Sequence, residues 1–272
     1  MITSDIDKRE HESMRFEELS YKDIEELVKE GYIPVIPVGS LEVHGPHLPL
    51  GTDGLVIHKL ALEVAKIEKI VVLPPLYYAY VPENRHFPGT ISLTAETFHK
   101  LLEEICDELG RMGFKKIVIL NGHGGNIVPI SLFVRELLWK RKGYKVYAIN
   151  SPWGCIQDEI EKIRESEIVG HAGEIETSLV LYVNPNLVKK ERIPGKAKLG
   201  PRRVVNGAET PVDWVGHALE GYVGEPGKAS YEKGEKLFKV WAKRVAEFIR
   251  KIREDTYYDK VVNEYNRRSQ PL

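Results

Sequence analysis

The sequence predicts an α/β fold in which a parallel or mostly parallel sheet is covered by helices on both faces. The first observation is that short apolar runs alternate with longer segments whose apolar residues recur at helical spacing. The second is that two glycine-rich loops, residues 39–54 and 121–126, each follow an apolar run directly. Functional side chains of parallel sheets gather at the carboxyl ends of the strands, so we expect both loops to meet there.

Composition narrows the class of protein. The chain has 272 residues, of which 42% are hydrophobic and 29% are charged, as is typical of a globular protein with a large core. Its net charge of −1 gives no reason to expect a nucleic-acid or anionic-membrane partner. No run approaches the roughly 18 apolar residues that a membrane-spanning helix needs, and the N-terminal stretch is too polar for a signal peptide.

Cysteine usage and residue bias indicate the cellular setting. Cys106 and Cys155 are far apart in the sequence and form neither a disulfide framework nor a zinc finger. We therefore expect a reduced, cytoplasmic environment. Glutamine occurs only at Gln157 and Gln270, whereas Lys, Glu and Ile are abundant, a bias that is typical of thermophiles.

We expect one folded domain over residues 16–255, preceded by a flexible arm at residues 1–15 and followed by a charged tail at residues 256–272. Within the domain, residues 189–227 lose the alternating pattern because glycine, proline and charged residues dominate. A long stretch without regular structure inside a compact domain is usually functional, so we interpret it as an ordered, irregular excursion.

The first part of the domain is predicted to contain two strands. Ser20 can cap a helix that ends at Gly31. An apolar run then predicts a buried strand at residues 32–38, although its two prolines are unusual in a central strand. After the first glycine-rich loop, helical spacing predicts a helix over residues 55–67, and a short strand follows at residues 70–73.

The next elements continue the alternation. Residues 77–91 are irregular, and Thr94 then opens a helix that Gly113 ends. A strong strand at residues 116–120 leads into the second glycine-rich loop. The remaining predicted elements are a helix at residues 127–140, a strand at 144–149, a helix at 156–166, an apolar run at 179–183 and an amphipathic helix at 229–255.

The first glycine-rich loop carries Glu42, His44 and Asp53. Its glycines and prolines fix unusual backbone angles, so we expect a shaped loop rather than a slack one. Glu42 and His44 are two residues apart, so in an extended segment their side chains point to the same side. The alternative is a turn whose polar residues cap nearby backbone. Three ligand-type side chains after a strand favour a site for Zn²⁺, Mn²⁺ or Fe²⁺.

The second glycine-rich loop carries His123 between Gly122 and the pair Gly124-Gly125. Such small residues let the backbone approach a ligand or a metal closely. A phosphate-binding loop before a helix N-terminus is the rival interpretation, but the loop lacks both Gly-x-x-x-x-Gly-Lys-Ser/Thr and Gly-x-Gly-x-x-Gly. Together with the first loop, this pattern favours His123 as a metal ligand.

His171, Glu174 and Glu176 form a third candidate group. Glu174 and Glu176 can be carboxylates in the first turn of a helix, where the helix dipole favours them. That account suffices for one carboxylate. It does not explain why two carboxylates follow His-Ala-Gly at the start of the same helix. Four further histidines have no partner pattern and are expected to be surface or core residues: His11, His58, His99 and His217.

Four stretches of the chain, in this order, resemble the creatininase family of metal-dependent hydrolases. They are Glu42-x-His44-Gly-Pro-His47-Leu-Pro-x-Gly-Thr-Asp53, Phe87-Pro-Gly-Thr90, Asn121-Gly-His123 and His171-Ala-Gly-x-x-Glu176-Thr-Ser178. The segment before the last long helix is also similar to the family. Four motifs in the right order make the resemblance specific at the level of the family.

The resemblance implies a three-layer α/β/α fold, a site for two divalent metal ions and a compact homo-oligomer, often a hexamer. Carried over by position, it implies that Asp53 bridges the two metals, that Glu42 and His123 bind one of them, and that His44 binds the other. It also implies that His171 is a catalytic or substrate-binding histidine.

One ligand position departs from the family pattern. Creatininase has a glutamate two residues after the position of His123, and that glutamate binds the second metal. This chain has Gly125 there. Glu176 is the expected replacement, with Glu174 as the fallback. Branches of the family that lack that glutamate resemble a deformylase, a peptidase and a hydrolase of a cyclic ketone from inositol breakdown.

The substrate pocket also departs from the pattern. Creatinine-cleaving members place Trp and Asp shortly before the position of His171, where this chain has Glu167 and Ile168. This difference argues against creatinine itself as the substrate. We expect the pocket walls to come from residues 77–90, 150–156 and 195–225, and the pocket to be lined by His47, His86, Trp153 and Asn126.

The resulting hypothesis is a metal-dependent hydrolase that acts on a small molecule. A hydroxide held between two divalent metals attacks the carbonyl of a small polar cyclic amide or formamide and cleaves its C–N bond. His171 or a carboxylate such as Glu174 passes the proton to the leaving group. One alternative is a C–C hydrolase that opens a cyclic ketone such as 3-dehydro-scyllo-inosose. The other is a metal-binding module without catalysis, which the glycine at position 125 keeps open.

Overall fold

The structure is a computed structural model that describes residues 14–269. The flexible arm expected at residues 1–15 therefore lies largely outside the described part of the chain, as do residues 270–272 of the tail. Within residues 14–269 the central sheet has four strands: β1 (Ile33–Val38), β2 (Ile70–Val72), β3 (Lys116–Asn121) and β4 (Lys145–Ile149). Neighbouring strands are all parallel, in the order β2-β1-β3-β4, which confirms the predicted parallel sheet.

β1 is a central strand despite its two prolines. It pairs with β2 up to Val35 and with β3 from Val35 onward. Val35 O accepts a hydrogen bond from Leu73 N on the β2 side, so the alternation of a strand turns Pro34 toward β3 and Pro37 toward the β2 side. Pro34 therefore faces β3 at a point before the β1–β3 pairing begins, and Pro37 faces the β2 side after the β1–β2 pairing has ended. Neither proline has to supply an N–H to the sheet at its position.

Helices cover both faces of the sheet, which confirms the three-layer fold. The described helices are α1 (Tyr21–Lys29), α2 (Thr52–Ala65), α3 (Ala95–Met112), α4 (Ile127–Glu136), α5 (Gln157–Ile163), α6 (Glu174–Val183), α7 (Asp213–His217), α8 (Tyr231–Glu254) and α9 (Tyr257–Arg268). Apolar residues of α2, α6 and α8 pack against one face of the sheet. Those of α1, α3 and α4 pack against the other face.

Local sequence signals place several helix ends as predicted. Ser20 and Asp23 form a capping box at the start of α1. Thr94 accepts a hydrogen bond from the Thr97 N–H at the start of α3. Gly113 ends α3 with a φ of 109°, in the left-handed region that favours glycine.

Several boundaries differ from the prediction, and the helix predicted at residues 156–166 ends at Ile163. α2 begins at Thr52, which places Asp53 in its first turn. α4 ends at Glu136, because a 3₁₀ turn follows at Leu137–Trp139. The tail contains α9, because Asp255 accepts a hydrogen bond from Tyr257 N at 2.9 Å and so begins a new helix.

The order of the strands creates a crevice at one edge of the sheet. After β1 the chain crosses through α2 to β2, and after β3 it crosses through α4 to β4 on the opposite side. Such a reversal between neighbouring strands opens a crevice outside their carboxyl ends. Both glycine-rich loops begin at these two ends, so the topology brings the candidate residues together.

The segment 189–227, which we expected to be an ordered, irregular excursion, contains few regular elements among the described residues. Its described regular structure is limited to α7 and the 3₁₀ turns Lys190–Arg192 and Pro226–Lys228, the last of which closes the segment. None of the helices formed by residues 14–269 is both long and apolar enough to cross a membrane.

Candidate metal centre

The loop after β1 is held close to the start of α2. A Cβ built on Gly39 would lie 2.3 Å from the backbone nitrogen of Gly54, a distance that no side chain tolerates. Glycine at position 39 therefore allows two backbone segments to touch. This contact brings Glu42 and His44 alongside Asp53 in the first turn of α2.

Asp53 lies between two histidines that come from different loops. Its Oδ1 is 3.1 Å from His44 Nε2, and its Oδ2 is 2.9 Å from His123 Nδ1. Ser40 Oγ lies 2.9 Å from Asp53 Oδ2 and 2.9 Å from Glu42 Oε1, and its single proton can be donated to either. Each oxygen of Asp53 thus faces a different histidine.

On one side of Asp53, Glu42 completes a buried triplet with His123. Glu42 Oε1 is 2.7 Å from His123 Nδ1, and the other oxygen of Glu42 accepts a hydrogen bond from Asn84 Nδ2. Glu42, Asp53 and His123 each offer one ligand atom, and these atoms lie within 4.8 Å of one another.

On the other side, Glu176 completes a second triplet with His44 and Asp53, whose ligand atoms also lie within 4.8 Å of one another. Glu176 Oε2 is 3.6 Å from His44 Nε2 and accepts a hydrogen bond from the backbone N–H of Ala172. Ala172 has a φ of 51°, a left-handed conformation that non-glycine residues rarely adopt. This turn directs a backbone donor at Glu176 as α6 begins.

His171 lies beside the same cluster. Its ring centroid is 4.3 Å from that of His44 and 5.8 Å from that of Trp214. Its Nε2 is 2.6 Å from Val43 O, so Nε2 carries the hydrogen and donates it. Burial, together with the neighbouring His44, lowers the pKa of His171 to about 4. The ring is therefore neutral at pH 7.

The cluster concentrates negative charge in a buried place. Glu42, Asp53 and Glu176 are each at most 8% exposed. Burial disfavours a charged histidine, but Asp53 and the other carboxylates outweigh it and raise the pKa of His44 to about 10. The same balance, with Glu42 as the main partner, raises the pKa of His123. Burial raises the pKa of Glu176 to about 7.

Divalent cations suit this donor set. Carboxylate oxygens and imidazole nitrogens are ligands of zinc, manganese and iron in proteins. Without a cation, protons on His44 and His123 supply the positive charge that the carboxylates require. A bound cation would displace those protons and neutralise the carboxylates more completely.

The cluster opens into a cavity of about 550 Å³, a volume that suits a small molecule. Trp153 and Trp214 form aromatic parts of its lining. Glu83 and Asn84, from the irregular segment before α3, supply polar parts. Glu167 and Ile168 are not among its lining residues.

Glu174 lies away from the cluster. Its carboxylate accepts hydrogen bonds from Glu165 N at 3.0 Å, from Ser166 N at 2.7 Å and from Lys233 Nζ at 2.6 Å. Residues two apart on a helix point to different sides, so only one of the two first-turn glutamates can face the cluster. The structure brings Glu176 there and uses Glu174 to hold the start of α6.

Of the four residues expected to line the pocket, Trp153 does so and three lie elsewhere. His47 and Asn126 are fully buried and hydrogen-bond neighbouring segments of the chain. His86 is exposed, and its ring centroid lies 4.5 Å from that of Phe87. These three side chains support or border the site loops instead of lining the cavity.

Four residues of the site were not singled out from the sequence: Ser40, Glu83, Asn84 and Trp214. They come from irregular segments, where periodicity gives no signal. Glu83, Asn84 and Trp214 nevertheless lie in two of the segments that were expected to form the pocket walls, residues 77–90 and 195–225.

The chain is similar to several known proteins. A family model described as creatininase (creatinine amidohydrolase) matches residues 17–249. The creatinine amidohydrolase of Pseudomonas putida is 32% identical over 252 residues, which cover 86% of this chain and 95% of that protein. The 3-dehydro-scyllo-inosose hydrolase of Thermotoga maritima is 29% identical over 262 residues, which cover 88% of this chain and 83% of that protein. A solved structure of manganese creatininase is 30% identical, with a TM-score of 0.77 over 90% of this chain and 100% of that one.

Proposed function

The chain belongs to the creatininase family of metal-dependent hydrolases, and we propose that it cleaves the C–N bond of a small polar cyclic amide or formamide at two divalent metal ions. The position of Asp53 carries this proposal. Its two carboxylate oxygens face His44 and His123, and each histidine is accompanied by a further buried carboxylate, Glu176 or Glu42. This arrangement supports two adjacent cation sites that share Asp53.

The proposed ligands fall into two groups, Glu42 with Asp53 and His123, and His44 with Asp53 and Glu176. Glu176 then takes the place of the glutamate that creatininase has at the position of Gly125. Ser40 and Asn84 hold the ligand carboxylates by hydrogen bonds, as the outer partners of metal ligands commonly do. Similarity to manganese creatininase supports manganese, and zinc and iron suit the same ligand set.

His171 is the proposed proton carrier. When bound, the two cations supply Lewis acidity, which polarises a substrate carbonyl and makes water nucleophilic near neutral pH. The hydrogen bond from Nε2 to Val43 O holds His171 in one tautomer, so the lone pair of Nδ1 can take a proton and deliver it to the leaving nitrogen. Glu174 has no part in this step, because Lys233 and backbone N–H groups hold its carboxylate elsewhere.

The cavity lining supports a flat, cyclic substrate. Trp153 and Trp214 offer aromatic surface on which a ring can pack, and they reduce the access of bulk water. Neither Glu167 nor Ile168 contributes to this lining, which supports a substrate other than creatinine.

A second candidate reaction is hydrolysis of a C–C bond in a cyclic ketone such as 3-dehydro-scyllo-inosose. Similarity to the Thermotoga maritima hydrolase favours it. The carboxylate of Glu83 and the carboxamide of Asn84 in the cavity also suit a hydroxylated ring. Both reactions begin with attack on a carbonyl, so the same cluster serves either.

We further propose that the protein works as a homo-oligomer, with a hexamer as the expected form, in the cytoplasm of a thermophile. Exposed apolar side chains on and after α4 support assembly, because a second copy can bury them. Val128 is 75% exposed, Leu132 is 48% exposed and Trp139 is 88% exposed. A small molecule, rather than nucleic acid or a membrane, is the proposed partner.

Elemental analysis of the metal-replete protein tests the proposal. We expect two metal ions per chain in the unmodified protein, one in Glu176→Gln and none in Asp53→Ala. One ion or none in the unmodified protein contradicts the two-cation site. A screen of cyclic amides, formamides and cyclic ketones then identifies the bond that is cleaved. Turnover that survives in Asp53→Ala contradicts metal dependence. If the protein binds metal but turns over none of the three substrate classes, a non-catalytic metal-binding module is favoured.

A further inference from the structure

Glu83 is a carboxylate of the cavity that the two proposed cation sites do not use. It lies in the 3₁₀ turn Pro82–Asn84, lines the cavity and is partly exposed. The other carboxylates that line the cavity, Glu42, Asp53 and Glu176, all belong to the proposed ligand groups. Glu83 belongs to neither group, so its carboxylate is free to contact a substrate.

The neighbouring segments fix the position of the Glu83 carboxylate. A Cβ built on Gly125 would lie 2.7 Å from Glu83 Oε1 and would also collide with His123 Nε2. The two side chains therefore already occupy the place that any side chain at position 125 would need. The next residue, Asn84, donates a hydrogen bond to Glu42, which anchors the turn at the metal-ligand cluster.

Glu83 lacks a cationic partner among residues 14–269. The ion pairs of His123 go to Glu42 and Asp53, and no other lysine, arginine or histidine in this range pairs with Glu83. No lysine or arginine in the described part of the chain lines the cavity. Arg202 and Arg203 line a neighbouring cavity instead. The positive partner of Glu83 can therefore come from a bound molecule.

Aromatic surface lies close to this carboxylate. Helix α7, which carries Trp214, lies against the turn that carries Glu83. Trp153 lines the same cavity from the segment after β4. The faces of aromatic rings attract cations, and tryptophan does so most strongly. A carboxylate beside two tryptophans suits an organic ammonium group.

We propose that Glu83 is a specificity-determining residue that binds an ammonium group of the substrate, so that the cavity selects a cyclic amide carrying an amino group. An ammonium group brings a positive charge and N–H donors, and a carboxylate only accepts hydrogen bonds. An anionic group on the ring would instead place a second negative charge beside Glu83, with no lysine or arginine of the lining to offset it. This inference rests on the proposed function, because it takes this cavity as the substrate site.

Isothermal titration calorimetry on the Mn²⁺-loaded protein at pH 7 tests the subsite with three lactams of the same ring size. They are 3-aminopyrrolidin-2-one, which is largely cationic, pyrrolidin-2-one, which is neutral, and 5-oxoproline, which is anionic. We expect the unmodified protein to bind the amino lactam at least about tenfold more tightly than the neutral lactam, and the anionic lactam most weakly.

Two variants of Glu83 separate its charge from its shape. Glu83→Gln should reduce the preference for the amino lactam to less than about twofold and leave the affinity for the neutral lactam unchanged. Glu83→Lys should reverse the order and favour 5-oxoproline. Glu167→Gln is the matched control, because Glu167 does not line the cavity, and it should keep the full preference. Elemental analysis accompanies each titration, and we expect Glu83→Gln to keep the metal content of the unmodified protein.

Several outcomes overturn the subsite. Equal affinity for the three lactams, or no binding of any of them, contradicts it. A preference that survives in Glu83→Gln also contradicts it, because the amino group would then bind elsewhere, for example at a metal ion. Loss of metal from Glu83→Gln would identify Glu83 as a metal ligand. Failure of the proposed function has a different signature, namely no metal in the unmodified protein or turnover that survives in Asp53→Ala.

Discussion

His47 Nε2 lies 2.9 Å from Thr177 Oγ1 and joins the loop after β1 to the first turns of α6. Both side chains are fully buried. The loop supplies His44 and the helix supplies Glu176, so this hydrogen bond fixes two segments that meet at one of the proposed cation sites. A histidine outside the ligand set thereby acquires a structural role in the glycine-rich loop.

We predict that His47→Ala lowers the free energy of unfolding by about 2–4 kcal/mol, because it leaves a cavity and removes one of the two hydrogen-bond partners of the buried Thr177 hydroxyl. Thr177→Val keeps the shape of the side chain and removes only the hydroxyl, so its cost should be smaller, about 1–2 kcal/mol. Urea denaturation of the metal-free protein measures both changes. Two variants as stable as the unmodified protein would show that the contact does not hold the loop.

Glu174 should make stability depend on pH. Burial alone would raise the pKa of its carboxyl, but Lys233 and backbone N–H groups outweigh burial and lower the pKa below its usual value of 4.5. A carboxyl with a lowered pKa in the folded state contributes stability above its unfolded pKa. That contribution is lost as the pH falls through the folded pKa.

We therefore predict that Glu174→Gln lowers the free energy of unfolding at pH 7 by about 1–3 kcal/mol, with the difference from the unmodified protein shrinking below about pH 4.5. Urea titrations between about pH 3 and pH 7 measure this difference. A difference that stays constant over that range argues against the charge on Glu174 as its source. Metal content should be unchanged, in contrast to Glu176→Gln.

Metal uptake should release protons. Despite burial, the carboxylates raise the pKa of His44 to about 10 and raise that of His123 as well, while burial raises the pKa of Glu176 to about 7. A cation must displace these protons, so its apparent affinity should rise with pH between about 6 and 8. Calorimetry in buffers of different ionisation enthalpy counts the protons released. An affinity that does not change with pH is the contrary result.

Gly39 should be essential to the assembly of the cluster. A Cβ at this position would lie 2.3 Å from Gly54 N and 2.5 Å from Gly54 Cα, both of which are backbone atoms. We predict that Gly39→Ala displaces the loop from α2 and reduces the bound metal to less than one ion per chain. Gly143→Ala is the control, because a Cβ there meets nothing within 4 Å. Wild-type metal content in Gly39→Ala would show that the loop adapts.

Several predictions from the sequence depended on local signals, and the structure confirms them. Continuous apolar runs gave the parallel strands, and Ser20 and Gly113 marked helix ends. Other features, such as the start of α2, could not be predicted from neighbouring residues in the sequence. Helical spacing predicted that α2 starts at residue 55, whereas in the structure it starts at Thr52. The prediction missed the first turn because Asp53 and Gly54 add no apolar periodicity.

Glu174 and Glu176 show what the sequence alone could not predict, namely which of two neighbouring carboxylates enters the cluster. Both are carboxylates in the first turn of one helix, so composition and spacing treat them alike. Which one enters the cluster depends on the rotation of α6 against its neighbours. Lys233, on α8, captures Glu174, and the backbone N–H of Ala172 supports Glu176.

By itself, the sequence determined the alternation of strands and helices, the two glycine-rich loops and the chemical types of the proposed ligands. These features depend on residues that are neighbours in the chain. Only the tertiary structure decided that the two oxygens of Asp53 face different histidines and that Glu83 faces His123 across Gly125. These relationships join segments that are distant in sequence, and packing between helices, strands and loops fixes the direction of each side chain.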